Sequence, residues 1–194
     1  MPNDPPADIA HVDEALQAWR QGDCVLGEQW FAHRFAPAQP LTDEAKAAAE
    51  AGVDLAESET RGLMIVSQSC DVVRSCSERP LVEVCPLVEL EEDVFQQVER
   101  GRRPQFAFIP GVADRRLAGD LDRIMTVEKA VVAGWDRTTG CDSDAARRRL
   151  TCALARKRLR FAFPDDFVAI ARRLQDRLQE KHDKESSSRH GSSW

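Results

Sequence analysis

The stretch Arg61-Gly62-Leu63-Met64-Ile65-Val66-Ser67-Gln68-Ser69-Cys70-Asp71 sets the tightest limit on how this chain can fold. Leu63 to Val66 form an unbroken apolar run, with Gly62 before it and a polar cluster after it. Such a run reads as a strand buried on both faces. A buried strand ending in Ser67-Gln68-Ser69-Cys70-Asp71 delivers polar side chains to the rim of a sheet. There they either make the turn, by bonding local backbone, or build a site. A second strand follows at once in Leu81-Val82-Glu83-Val84-Cys85-Pro86-Leu87, so two sheet elements are joined by a short basic and polar loop.

The flanking sequence adds helices and shorter strands. Val12, Ala15, Leu16 and Trp19 recur at helical spacing between His11 and Arg20, and Gly22 ends that helix. Asp23 to Gly27 reads as a strand, continued by the mixed aromatic and polar run Trp30 to Phe35. Residues 37–60 are expected to be an inserted acidic excursion carrying one alanine-rich helix capped by Thr42. Glu91 to Arg100 predicts a helix with Val94, Phe95 and Val98 on one face, and Gln105 to Pro110 a short aromatic strand. Leu117 to Val132 alternates as a further strand pair would, which makes the core of residues 9–140 predominantly β. Asp142-Ser143-Asp144 caps an arginine-rich helix from Ala145 to Arg160. A second helix starts at Pro164 and runs to Lys184, with Phe167, Ile170, Leu174 and Leu178 as an apolar stripe that suits a partner or a second copy. Residues 1–8 and 185–194 carry the composition of disordered ends.

Composition narrows the function classes. The chain has 194 residues, enough for one domain with a real core. No apolar run approaches the roughly 20 residues that span a bilayer, and the acidic, proline-rich N-terminus does not read as a signal peptide, so the expected compartment is the cytoplasm. Its six cysteines form no Cys-x-x-Cys pair and its four histidines lack zinc-module spacing, so neither a metal nor any other cofactor is expected. Net charge is −6 but unevenly spread: residues 1–60 hold 3 basic and 12 acidic side chains, while residues 101–194 hold 20 basic and 13 acidic. The C-terminal half can therefore face an anionic partner such as RNA while the whole chain stays acidic.

Five segments in order resemble the MazF/PemK family of small RNA-cutting toxins. Gly22-Asp23-Cys24-Val25-Leu26 is similar to that family's Gly-Asp-started first strand, and Arg61-Gly62-Leu63-Met64-Ile65-Val66-Ser67 to its arginine-led second strand. Val84-Cys85-Pro86-Leu87-Val88 matches its strand ending in Pro-Leu-Thr, Leu121 to Lys129 its later Asp-Gln-Ile-Arg-Thr-Val-Asp-Lys segment, and Cys141 to Asp144 its last helix start. The resemblance covers residues 20–160. It implies a mainly β fold with helices, a small SH3-like β-barrel of MazF/PemK type plus a C-terminal helical extension over 141–184. It also implies a nucleic-acid-directed role in a toxin-antitoxin or phage-defence setting, either as a metal-independent endoribonuclease or as a catalytically silent binding or interaction component. The family's catalysis rests on an arginine before the second strand and a threonine after the Pro-Leu; Arg61 stands at the first position and Val88, with no hydroxyl, at the second.

RNA cleavage requires a group that activates the 2′-hydroxyl and a cation that stabilises charge on the phosphate. Arg61 is the candidate cation, since a guanidinium grips phosphate with two parallel hydrogen bonds. Asp71 is the candidate base, set against its plainer role as a turn carboxylate. Ser67, Gln68, Arg102 and Arg103 are candidates for holding the nucleic acid. Cys70 as a nucleophile with His33 as its base is a weaker arrangement than a buried thiol.

Overall fold

The computed structural model describes residues 9–159 together with Arg173 and Arg177. The chain divides into two compact units, residues 1–158 and 159–194. In the second, Arg173 and Arg177 are helical. The rest of the helix predicted for 164–184 lies outside the described residues, as do the predicted disordered ends.

Among the described residues the first unit forms seven strands: β1 (Cys24–Arg34), β2 (Leu55–Ile65), β3 (Leu81–Glu89), β4 (Phe106–Phe108), β5 (Leu117–Asp120), β6 (Met125–Glu128) and β7 (Arg137–Thr138). All pairings are antiparallel, in the order β4-β5-β3-β2-β1-β7, with β6 also on β3. Strand β3 organises the sheet. One edge pairs with β2 through Val84–Pro86; the other takes β6 along Leu81–Val84 and then β5 along Leu87–Glu89. Serving two neighbours in succession along one edge curls the sheet into a half-barrel.

The predicted two-faced burial of Leu63 to Val66 is what the strand does. Leu63 and Ile65 join Val25, Val82 and Val84 in one cluster, while Met64 and Val66 join Cys24, Cys85 and Leu87 in another. Successive side chains on a strand point to opposite faces, so an unbroken apolar run serves two cores at once. The first cluster is covered by Val12 and Leu16 of α1 (Ile9–Leu16) and by Trp19, whose ring meets Trp135 edge-on at 6.2 Å. The second is covered by the 3-10 turn Pro110–Arg115 and by Leu150 and Leu154 of a C-terminal helix.

The remaining helices are α2 (Asp43–Glu50), α3 (Ser69–Val72), α4 (Glu92–Glu99), α5 (Lys129–Ala133) and α6 (Asp144–Arg158). Thr42 caps α2 as its sequence predicts, its Oγ1 accepting from the Ala45 N–H at 3.1 Å. Helix α4 buries Phe95 and Val98.

The expected sheet core with helices is present in its coarser form, a mixed α/β unit whose curled antiparallel sheet makes a half-barrel. Two expectations are corrected. The acidic excursion at 37–60 shrinks to the α2 connection: Leu55 to Thr60 belong to β2 and continue the ladder with Gln29 to Arg34. Its alternation is hidden because only Ala56 and Thr60 on that stretch are buried, and backbone pairing overrides composition. Finally, Lys129 to Ala133 is helix, not strand, since Val132 is fully buried from a helical turn and the β preference of Val131 and Val132 yields to packing.

Candidate functional site

A groove of about 990 Å³ opens where β1 and β2 meet α4 and the 3-10 turn. Its wall is charged: Arg61, Arg100, Arg115 and Arg116 alternate with Glu28, Glu89, Glu92, Glu99 and Asp114. Arg116 is tied to Glu89 at 3.3 Å. Arg61, Arg100, Arg115 and Glu28 make no ion pair among the described residues, so their charges face solvent in the groove.

The backbone explains how Arg61 comes to point there. Leu26 pairs with Gly62 and Gln29 with Thr60, so Gly27 and Glu28 together oppose the single residue Arg61. This is a β-bulge, a device that bends a strand and re-aims a side chain. Gly27 adopts φ +107°, and Gly62 adopts φ +148° in a place where a Cβ would sit 2.2 Å from the Val25 carbonyl oxygen. Gly62 is therefore required by the close approach of β1 and β2 beside Arg61, and Gly27 by its positive φ alone. The bulge brings Glu28 into the same groove as Arg61, a neighbourhood that no spacing along the chain signals.

A second cavity, about 380 Å³, lies on the other flank of Arg61 and includes Val88 and Arg123. The one hydroxyl close by belongs to Thr60, which is 7% exposed and donates to the carbonyls of Gln29 and Gly62 at 3.3 and 3.0 Å. It does not stand in for the hydroxyl that Val88 lacks.

The other sequence candidates do not gather around Arg61. Ser67, Gln68 and Asp71 follow the far end of β2; the six residue steps from Arg61 to Ser67 amount to about 20 Å of extended chain. Ser67 extends the ladder, its Oγ accepting from the Glu83 N–H at 2.8 Å. Gln68 is exposed at the start of α3, where its carbonyl accepts from the N–H groups of Asp71 and Val72. Asp71 faces Arg79 at 3.7 Å. Arg102 and Arg103 follow α4: Arg102 is exposed, and Arg103 donates through Nε to Gln97 at 2.9 Å beside a cavity of only about 20 Å³. Cys70 and His33 are not brought together. Cys70 follows the end of β2, whereas His33 pairs with Ala56 near its start, about 30 Å away along the strand.

Four of the six basic side chains of α6 are engaged within the unit. Arg147 pairs with Asp144 at 2.6 Å, Lys157 with Asp122, and Arg158 with Glu83, while the Arg149 guanidinium lies 5.0 Å over the Phe108 ring. This helix packs on the curled sheet; among the described residues it does not present one open cationic face.

A second polar cluster, around the loop after α3, was not anticipated from the sequence. Lys129 is 1% exposed and its Nζ donates to the Arg74 carbonyl, and burial pushes its pKa down. Asp13 accepts from the Ser75 hydroxyl at 2.7 Å and the Cys76 N–H at 2.8 Å. The Cys76 thiol, then the Ser75 hydroxyl and that N–H, hold its pKa at about 2. The cluster ties α1, the 73–80 loop and α5 together.

Among the described residues, no three His, Cys, Asp or Glu side chains converge as a metal site, and no helix is long and apolar enough to cross a membrane. No protein-family model matches this chain, and no curated protein matches it.

Proposed function

We propose that this protein acts on RNA as a diverged, metal-independent endoribonuclease of MazF/PemK-like type, with Arg61 as its phosphate-binding cation. The observation that carries the reading is the bulge that sets a guanidinium, Arg61, and a carboxylate, Glu28, neither in an ion pair among the described residues, in one open groove. An arginine without an internal partner keeps its hydrogen-bonding fork for a ligand, and phosphate is the anion that matches the fork.

In this reading Glu28 takes the role first assigned to Asp71. The Glu28 carboxylate accepts the 2′-hydroxyl proton as the 2′-oxygen attacks the neighbouring phosphorus. Arg61 stabilises the charge growing on the non-bridging oxygens, and the bond to the 5′-oxygen breaks. The products are a 2′,3′-cyclic phosphate and a 5′-hydroxyl that takes its proton from water. General base catalysis of this kind contributes about 10²- to 10⁴-fold.

One observation favours a second reading, a nucleic-acid-binding or protein-interaction component without cleavage. Val88 supplies no hydroxyl, and Thr60 is committed to backbone carbonyls. Arg61 and Arg115 would then hold phosphates without chemistry. Both readings suit a toxin-antitoxin or phage-defence role.

The test is incubation of the purified protein and of Arg61→Ala with mixed single-stranded RNA in the presence of chelator. Fragments ending in cyclic phosphate, lost in the variant, are the expected result. Intact RNA with both proteins overturns cleavage, and a salt-dependent gel shift in the same samples would then favour the binding reading.

A further inference from the structure

Beyond the bulge, β1 and β2 continue as a two-stranded ribbon whose two faces differ. Phe31 and Ala56 turn to the covered face, 4% and 1% exposed, with the Arg123 guanidinium 5.7 Å from the Phe31 ring. Trp30, Ala32 and Arg34 pair with Glu59, Glu57 and Leu55 on the other face. There Trp30 is 59% exposed and Leu55 53%.

The outer edge of this ribbon is also open. Strand β7 covers β1 only at Cys24 and Val25, and among the described residues no strand pairs with Leu26 to Arg34 along that edge. Every second residue there turns its backbone N–H and C=O outward. Natural proteins blunt such an edge with lysine, proline or a bulge. This one has its bulge before the ribbon and then leaves Gln29 to Arg34 bare, with a tryptophan on it.

We propose that this edge is a docking site for an extended, basic polypeptide segment that adds to β1 as a further strand. Main-chain hydrogen bonds to the open edge would supply affinity, and the alternating exposed face would supply selectivity. The charge on that face identifies the occupant. Arg34 is spent on Asp54, at 2.5 Å. Glu57 and Glu59 make no ion pair among the described residues; Glu59 stands opposite Trp30 in the ladder and Glu57 opposite the next residue on that face, Ala32. A carboxylate beside an exposed indole face suits a lysine or arginine side chain, drawn by Coulomb attraction and by the ring. The same carboxylates repel phosphate, so nucleic acid is disfavoured here. The site uses neither Arg61 nor Glu28 and stands independently of the RNA reading.

The test uses a short labelled peptide of alternating lysine and valine, with its glutamate-valine counterpart as control, followed by fluorescence anisotropy. Saturable, salt-sensitive binding of the lysine peptide is expected, with protection of Gln29 to Arg34 amides from hydrogen exchange. Trp30→Ala and the double variant Glu57→Gln/Glu59→Gln should each weaken binding at least about tenfold, and Arg61→Ala should leave it unchanged. These substitutions lie on an exposed face, and circular dichroism reports whether each variant folds. Equal binding of both peptides, no binding, or indifference to these variants overturns the proposal. So does concentration-dependent dimerisation abolished by Trp30→Ala, which would make a second copy the occupant, or RNA binding abolished by it, which would make the face a nucleic-acid platform.

Discussion

Asp23 and Arg137, 114 residues apart in the chain, close a 2.9 Å ion pair in which the carboxylate is 2% exposed. The same carboxylate accepts from the Arg20 N–H at 2.9 Å and the Gly140 N–H at 3.3 Å. It therefore joins the turn before β1 to β7 and to the approach to α6. Gly22 and Gly140 pass so closely that a Cβ on Gly140 would lie 1.8 Å from the Gly22 carbonyl oxygen. The Gly-Asp pair at the head of β1 thus has a structural reason that owes nothing to catalysis.

Removing Asp23 leaves Arg137 half-buried and two backbone donors without an acceptor. Asp23→Ala is expected to cost about 2–4 kcal/mol of unfolding free energy, with Asp23→Asn costing less because one oxygen remains. Urea denaturation measures both; a change within error for Asp23→Ala would show that the pair contributes nothing.

Leu150 is 1% exposed and carries α6 onto the Met64 face of the sheet. Leu150→Ala is expected to destabilise by about 2–5 kcal/mol through the cavity it leaves, whereas Arg148→Ala, on the exposed side of the same helix, should change stability by less than about 0.5 kcal/mol. Thermal unfolding of the two variants distinguishes packing from charge as the helix's contribution.

Arg61 is exposed and makes no ion pair among the described residues, so Arg61→Ala should leave the unfolding free energy within about 0.5 kcal/mol of the parent. RNA cleavage should fall by at least about 10²-fold, and Glu28→Gln should lower it with little change in RNA affinity. A variant that loses stability and activity together would place Arg61 in the framework instead of the site.

Stability should decline at both ends of the pH range. Asp13 is held at about 2, below its ordinary value near 3.8, so its contribution is present above pH 4 and lost as pH falls toward 2. Asp13→Asn should flatten that acid limb. At the alkaline end, burial raises the thiols of Cys24, Cys76, Cys85 and Cys141 above their ordinary 9, with Cys76 and Cys141 at about 11. The folded state keeps these protons when the unfolded chain has released them, so stability falls as pH rises above 9. Lys129, lowered by burial, acts in the opposite sense as a single group. Denaturant midpoints from pH 2 to 11 check both limbs; a midpoint that rises above pH 9 would show that Lys129 outweighs the thiols.

Much of the framework was legible because it follows from local pattern. The apolar run Leu63 to Val66, the Thr42 cap, and the Phe95 and Val98 stripe of α4 each specify their element through residues within a few positions of one another. The strand at Leu55 to Thr60 was not legible, because Glu57, Ser58 and Glu59 take their conformation from pairing with β1, some 25 residues earlier. The helix at Lys129 to Ala133 was hidden for a related reason: its valines prefer strand, and only the core that receives Val132 decides otherwise.

The site divides in the same way. The sequence by itself determined that an arginine precedes the apolar run Leu63 to Val66 and that a polar cluster follows it, since both are fixed by order along one segment. Only the tertiary structure decided that Arg61 lies within a longer strand, at a bulge, while the polar cluster follows its end, so the two are not walls of one site. It also decided that Glu28, through a bulge set by Gly27 and Gly62, is the carboxylate sharing Arg61's groove. Register between strands sets such neighbours, and register depends on backbone approach across the sheet, which no spacing along a single chain encodes.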